Sequence, residues 1–188
     1  MAVRIDALHS PQIVSALVLQ EADIGFVFSA LVHPSLAQET LAEGRVVCVA
    51  PKGTLDAAIV QAGVVHLADL AHTPVIRLEA TDPLGTMVNH ASREADVGLQ
   101  AAFTVQTYHA ALALAHHGLG VALVDVCTAA SADLSRVDVL ALAPRIAVPV
   151  KALRMVNRPA SLLTDAMVRC MREAVAQTLA STGLTERD

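Results

Sequence analysis

The stretch Val105-Gln-Thr-Tyr-His-Ala-Ala-Leu-Ala-Leu-Ala-His-His-Gly-Leu-Gly-Val-Ala-Leu-Val-Asp125 limits what this chain can fold into more than any other. Thr107 is a helix-capping residue type, and Ala111, Leu112, Leu114 and Ala115 follow it at helical spacing. Gly118 falls where a left-handed residue lets the chain leave that helix. Gly120 then leads into Val121-Ala-Leu-Val124, an apolar run without alternation, which predicts a strand buried on both faces. Doubly buried strands belong to parallel sheets flanked by helices. In such sheets ligands bind at the C-terminal ends of strands, near helix N-termini, so this helix start is a candidate ligand-facing position.

The chain has 188 residues, of which 54% are hydrophobic, enough to bury a sizeable core in one large domain or two small lobes. No apolar stretch reaches the roughly 18 to 20 uncharged residues of a membrane-spanning helix, and the start of the chain lacks an export pattern, so a cytoplasmic location is expected. Cys48, Cys127 and Cys170 are far apart, each in an apolar run, and read as buried reduced thiols rather than a disulfide framework or a zinc site. A net charge of −5 and singly scattered arginines exclude a basic face that grips a nucleic acid backbone. With 2% aromatic residues and no Trp, stacking platforms for single strands are lacking too.

Along the chain, strands and helices alternate. Residues 2–8 alternate weakly as a strand, Ser10-Pro11 reads as a helix cap with proline behind it, and a helix runs to about Gln20. Strands follow at Ile24–Phe28 and, after a loop containing His33-Pro34, at Arg45–Ala50. Leu55–Ala62 and Leu67–Ala71 read as short helices, Val75–Leu78 as a strand, Thr81–Gly85 as a loop, Thr86–Glu94 as a helix and Phe103–Val105 as a strand. Beyond Asp125 come a short helix at Val126–Ala130 and strands at Val137–Leu142 and Ile146–Met155, where Pro149 implies an edge position or a bend. A last helix, capped by Ser161, carries Leu162, Leu163, Ala166, Met167, Cys170, Met171, Val175 and Leu179 on one apolar face. No repeat or long linker divides the chain, and the alternation implies a mostly parallel sheet or two such sheets.

Several segments, taken in order, resemble the effector-binding domain of LysR-type transcriptional regulators. Gln20-Glu-Ala-Asp-Ile-Gly-Phe-Val27 is similar to the family's acidic-glycine-aliphatic strand, and Pro34–Leu41 followed by Val46–Pro51 to its loop and crossover strand. Val65–Ile76 is similar to the short helix and strand that come next, and Gly118–Val124 is the strongest match. The resemblance covers about residues 2 to 180. It implies an α/β fold of the type II periplasmic-binding-protein kind, with two Rossmann-like lobes flanking a cleft: lobe I from 1–48 and 146–182, lobe II from 49–145. The family's winged helix-turn-helix and linker helix have no counterpart here. Residues 3–7 correspond to the domain's second strand, so its first strand and helix are also absent and lobe I is expected to be incomplete. The resemblance therefore implies a truncated chain, or one that completes its sheet through another copy.

The resemblance also implies a small anionic or zwitterionic effector held at helix N-termini, whose free N–H groups and dipole favour carboxylates. The candidate residues are Ser10 at the first helix, Ser29 and His33 at the lobe boundary, Asp82 and Thr86 in the loop before the middle helix, Gln106 and Thr107, and Asp125. Residues Thr81 to Thr86 resemble the form this loop takes in regulators that sense basic amino acids or opines, where the Asp82 carboxylate pairs with an ammonium or guanidinium group. For each residue a structural role competes: capping for Ser10, Asp82, Thr107 and Asp125, and plain solvation for His33.

The function expected is non-catalytic. Effector binding closes two lobes and rearranges a homo-oligomer, in a cytoplasmic chain that takes no cofactor or metal and contacts neither membrane nor DNA itself. The effector class is an amino acid, an opine or another carboxylate. An enzyme on the same fold, a freestanding solute-binding protein and an inert fragment are the alternatives. No nucleophile motif, phosphate loop or metal spacing stands out, and the adjacent His116 and His117 diverge on a helix.

Overall fold

The computed structural model describes residues 3–28, 33–159 and 161–182. In chain order the elements are α1 (Ser10–Val18), β1 (Gly25–Phe28), β2 (Leu36–Pro51), α2 (Ala57–Ala62), β3 (Val64–His66), a 3-10 turn over Leu67–Leu70, β4 (Pro74–Leu78), α3 (Pro83–Glu94), β5 (Gln100–Val105), α4 (Tyr108–His116), β6 (Val121–Asp125), α5 (Val126–Ala129), β7 (Val137–Ala143), β8 (Ala147–Met155) and α6 (Leu162–Thr182). The junction that most constrains the sequence forms as its residues dictate. Thr107 Oγ1 accepts a hydrogen bond from the Ala110 amide at 3.2 Å, Gly118 takes φ +74°, and every residue of β6 is buried.

One long strand organises the sheet. The first part of β2, Leu36–Arg45, pairs antiparallel with β8, which also pairs antiparallel with β1. From Val46 onward β2 changes partners and lies between β6 and β7, antiparallel to both. Around that second half, β4 is parallel to β5 and β6, and β3 is parallel to β7. Apolar side chains fill both faces here: Val46, Cys48, Leu123 and Leu140 pack on one, and Val47, Val49, Val124, Ala111 and Ala115 on the other. That doubly covered layer is why β6 lacks alternation.

Several sequence expectations change. Residues 3–8 form no strand. Their alternation is real, but Val3 is 53% and Ile5 83% exposed, and a strand needs a neighbour to satisfy its backbone groups. Among the described residues β1 likewise pairs with β8 alone. The sheet section formed by β1, β8 and the start of β2 is therefore antiparallel throughout, not mostly parallel. Second, α1 begins one residue earlier than its cap implies: His9 is the N-cap, its N–H donating to Gln12 Oε1 at 3.2 Å, and Ser10 is the first helical residue. Third, the loop expected after Pro34 is the first half of β2; β3 was likewise not expected. Pro149 sits opposite Glu43 of β2, one residue before β8 begins to pair with β1 at Val150. Fourth, α6 buries Thr164, Val168, Val175 and Leu179, leaving Leu162 91% exposed, so its inward stripe differs from the one the sequence implies. Fifth, α3 starts at Pro83, inside the expected Thr81–Gly85 loop, because Asp82 rather than a later residue caps it. Cys170 is exposed and Cys127 half-buried; only Cys48 is a fully buried thiol.

Uneven pairing should show in dynamics. Amides of residues 3–8 are expected to exchange hydrogen at rates near those of an unfolded chain, and amides of Val46–Ala50 to be among the slowest. Hydrogen exchange read by mass spectrometry checks this; slow exchange at 3–8 would mean that the segment has a partner.

Candidate functional site

Parallel strands β4 and β5 end level with each other, Leu78 opposite Val105, and the Glu79 amide donates to the Val105 carbonyl at 3.1 Å. Each strand is followed at once by a helix start. Asp82 caps α3, its Oδ1 accepting from the Leu84 amide at 2.9 Å and the Gly85 amide at 3.3 Å. Gly85 allows α3 to press onto the strand end, since a Cβ there would lie 2.7 Å from the Glu79 carbonyl oxygen. Thr107 caps α4. Two helix N-termini thus stand side by side at the C-terminal ends of neighbouring parallel strands, the place where such sheets bind ligands.

Side chains tie the two starts together. The Tyr108 hydroxyl donates to Asp82, 3.1 Å from Oδ1 and 3.2 Å from Oδ2, and Gln106 Nε2 donates to Glu79 Oε1 at 3.1 Å. The Tyr108 ring meets Phe28 of β1 edge to face, with centroids 6.3 Å apart and planes at 79°. Asp82 and Asp125 are buried beside this cluster. Burial, then the Asp82 charge and hydrogen bond, then the Asp125 charge, hold the Tyr108 hydroxyl well above its ordinary pKa, so it stays a donor. The surroundings are acidic, which suits a ligand bearing a positive group.

The other expected residues are placed differently. Thr86 Oγ1 donates to the carbonyls of Asp82 and Ala80, at 3.0 and 3.1 Å. Asp125 is 1% exposed and caps α5, accepting from the Thr128 amide at 2.9 Å and from its hydroxyl at 2.5 Å. His33 Nδ1 accepts from the Ser35 amide at 3.3 Å, closing a local turn. Ser10 is buried at the start of α1, and Ser29 lies outside the described residues. The cluster therefore joins Asp82, Thr86, Gln106 and Thr107, while no hydrogen bond among the described residues links Ser10 or His33 to it. Sequence reasoning missed Glu79, Tyr108 and Phe28. A usable signal existed for one: Tyr108 is the single Tyr of the chain and sits directly behind a helix cap.

Beneath α3 lies a cavity of about 10 Å³, lined by Val75, Arg77, Leu84, Val88, Asn89 and Leu123. Arg77 donates from Nη2 to the Leu99 carbonyl at 2.7 Å, while its Nε is buried without a hydrogen-bond partner among the described residues. Among the described residues no helix is long and apolar enough to cross a membrane, and no group of three His, Cys, Asp or Glu side chains is arranged to hold a metal ion.

Burial raises the Asp125 carboxyl above its ordinary pKa, although hydrogen bonds from Thr128 pull the other way. The folded state then holds this proton more tightly than the unfolded chain does. Its contribution to stability is present below the unfolded value of 3.8 and is lost as pH rises through the raised one. Asp125→Asn, which keeps an acceptor for the Thr128 amide, should flatten that decline. Urea unfolding midpoints over pH check it, and a decline of equal slope in the variant would assign the effect to other groups.

Residues 1–176 match the family model described as the LysR substrate binding domain. The chain is 26% identical over 164 residues to the HTH-type transcriptional regulator DgcR of a Pseudoalteromonas species, covering 87% of this chain and 55% of that one. HinK, a LysR family transcriptional regulator from Pseudomonas aeruginosa, superposes with a TM-score of 0.73 at 19% identity, over 90% of this chain and 59% of HinK. The Synechocystis CcmR regulatory domain in complex with 2-PG superposes with a TM-score of 0.70 at 13% identity, over 88% of this chain and 79% of that domain. The chain thus spans a little over half the length of DgcR and HinK. The fold is the open, mixed α/β architecture of LysR effector-binding domains, and with the family model matched over nearly its whole length, this chain belongs to the LysR substrate-binding domain family.

Proposed function

We propose that this chain is the regulatory module of a LysR-type transcriptional regulator, binding a small effector at the paired starts of α3 and α4. The observation that carries this reading is the juxtaposition of two capped helix N-termini with the carboxylates of Glu79 and Asp82 at the ends of β4 and β5. The first-turn amides of α3 are engaged by Asp82, so the start of α4 takes a ligand carboxylate and the acidic side chains take a ligand cation, and the effector is an amino acid, an opine or a related carboxylate with a positive group. Asp82, Thr86, Gln106 and Thr107 form this side of the site, Ser10 and His33 the facing side, and Asp125 the wall behind. Lobe I comprises 1–48 and 146–182 and lobe II 49–145, so the mechanism is a shift between open and closed lobe arrangements. The resulting change in homo-oligomer assembly controls transcription through a separate DNA-binding domain. The module works in the cytoplasm, without catalysis or cofactor.

Thermal unfolding against a panel of amino acids, opines and aromatic acids tests the reading. A true effector at a hundred times its Kd stabilises the fold by about 2.7 kcal/mol, a shift of several degrees. A folded chain that no member of the panel stabilises would count against it.

A further inference from the structure

We propose that the Tyr108 hydroxyl is an internal competitor for the Asp82 carboxylate, occupying it in the free protein and displaced from it by the ammonium or guanidinium group of the effector. This rests on the reading above and names the chemistry of one half of the ligand. Asp82 Oδ1 is engaged by the Leu84 and Gly85 amides, so the α3 cap alone uses one oxygen. Oδ2 meets only the Tyr108 hydroxyl among the described residues. That hydroxyl is shared between the two oxygens at 3.1 and 3.2 Å, whereas a strong O–H to carboxylate bond is about 2.5 to 2.7 Å. The contact is long and divided, between a neutral donor and a charged acceptor. A guanidinium or ammonium group brings a full positive charge to the same oxygens, and a guanidinium matches both of them in one plane.

Displacement also has a structural consequence. Tyr108 is half-buried and carries the edge-to-face contact with Phe28, which joins α4 to β1. Swinging the ring off Asp82 loosens that contact, so occupancy of Asp82 is communicated to the β1–β8 section of the sheet. An effector cation thereby has differential affinity for two arrangements, the requirement for any ligand-driven shift. A carboxylate without a cation gains nothing from Asp82 and leaves Tyr108 in place.

The chain carries its own reporter, because Tyr108 is the single Tyr and there is no Trp. A hydrogen-bonded carboxylate quenches tyrosine emission by accepting its excited-state proton. Asp82→Asn without ligand is therefore expected to emit more strongly than the wild-type chain. L-arginine, used as the probe, should raise wild-type emission saturably, and succinate should leave it unchanged. Tyr108→Phe, which keeps the ring against Phe28, should bind L-arginine about tenfold more tightly by thermal shift, the size of one released hydrogen bond to a charged group. Unchanged emission while L-arginine stabilises the fold, or equal affinity in Tyr108→Phe, overturns the proposal and leaves the regulatory reading standing. Absence of any L-arginine effect also overturns it, and the regulatory reading falls with it only if the whole panel fails to stabilise the fold.

Discussion

Replacing Gly120 with Val is expected to destabilise the fold by about 3 to 5 kcal/mol, the range in which a marginally stable domain ceases to fold. Gly120 holds φ +150°, and a Cβ there would lie 2.7 Å from the Pro74 carbonyl oxygen and 3.4 Å from Ile76. The backbone strain alone costs about 1 to 3 kcal/mol, and relief of the clash would push apart β4 and β6, which pair through Val75 with Val121 and Ile76 with Ala122. Gly118 is the control. It too has positive φ, +74°, but nothing lies within 4 Å of its Cβ position, so Gly118→Ala should cost only about 1 kcal/mol. Denaturant unfolding of both variants checks the contrast, and equal losses would mean that conformation rather than the close approach to Pro74 sets the requirement.

Asp82→Asn is expected to separate binding from stability. An Asn oxygen still accepts from the Leu84 and Gly85 amides, so the α3 cap survives and unfolding shifts by about 0.5 kcal/mol. The charge is lost, and with it the attraction for a cationic ligand group. Affinity for a cation-bearing effector should fall about 30-fold, equivalent to one hydrogen bond between charged partners, and affinity for a purely anionic carboxylate should not fall. Asp82→Ala should show the same binding loss with about 1 kcal/mol of stability removed as well. Calorimetric titration beside thermal unfolding reads both quantities. If Asn preserves affinity, Asp82 is a helix cap and the cation lies elsewhere.

What the sequence discloses here is what local chemistry decides. The Thr107 cap, the spacing of Ala111, Leu112 and Ala115, and glycines at 118 and 120 act within a few residues of one another, and α4 and β6 follow from them. The first half of β2 does not. Glu39, Thr40 and Glu43 are exposed and Gln38 is half-buried, which hides any apolar pattern, and the strand exists because β8, more than a hundred residues further on, supplies its partner. Residues 3–8 show the converse, an alternating segment with no strand partner among the described residues and hence no strand. The same division holds at the site. Asp82 and Thr107 are legible as caps, whereas the Tyr108 to Asp82 and Gln106 to Glu79 hydrogen bonds span 26 and 27 residues and depend on β4 and β5 being neighbours.

Regulation by this chain requires a ligand seated at the starts of α3 and α4. Hydrogen exchange of the chain, free and saturated with whichever panel compound raises its unfolding temperature, locates that ligand directly. Protection concentrated at residues 84–86 and 106–110 is the predicted result, because those amides lie at the first turns of the two helices. A compound that stabilises the fold while leaving exchange at both helix starts unchanged would contradict it.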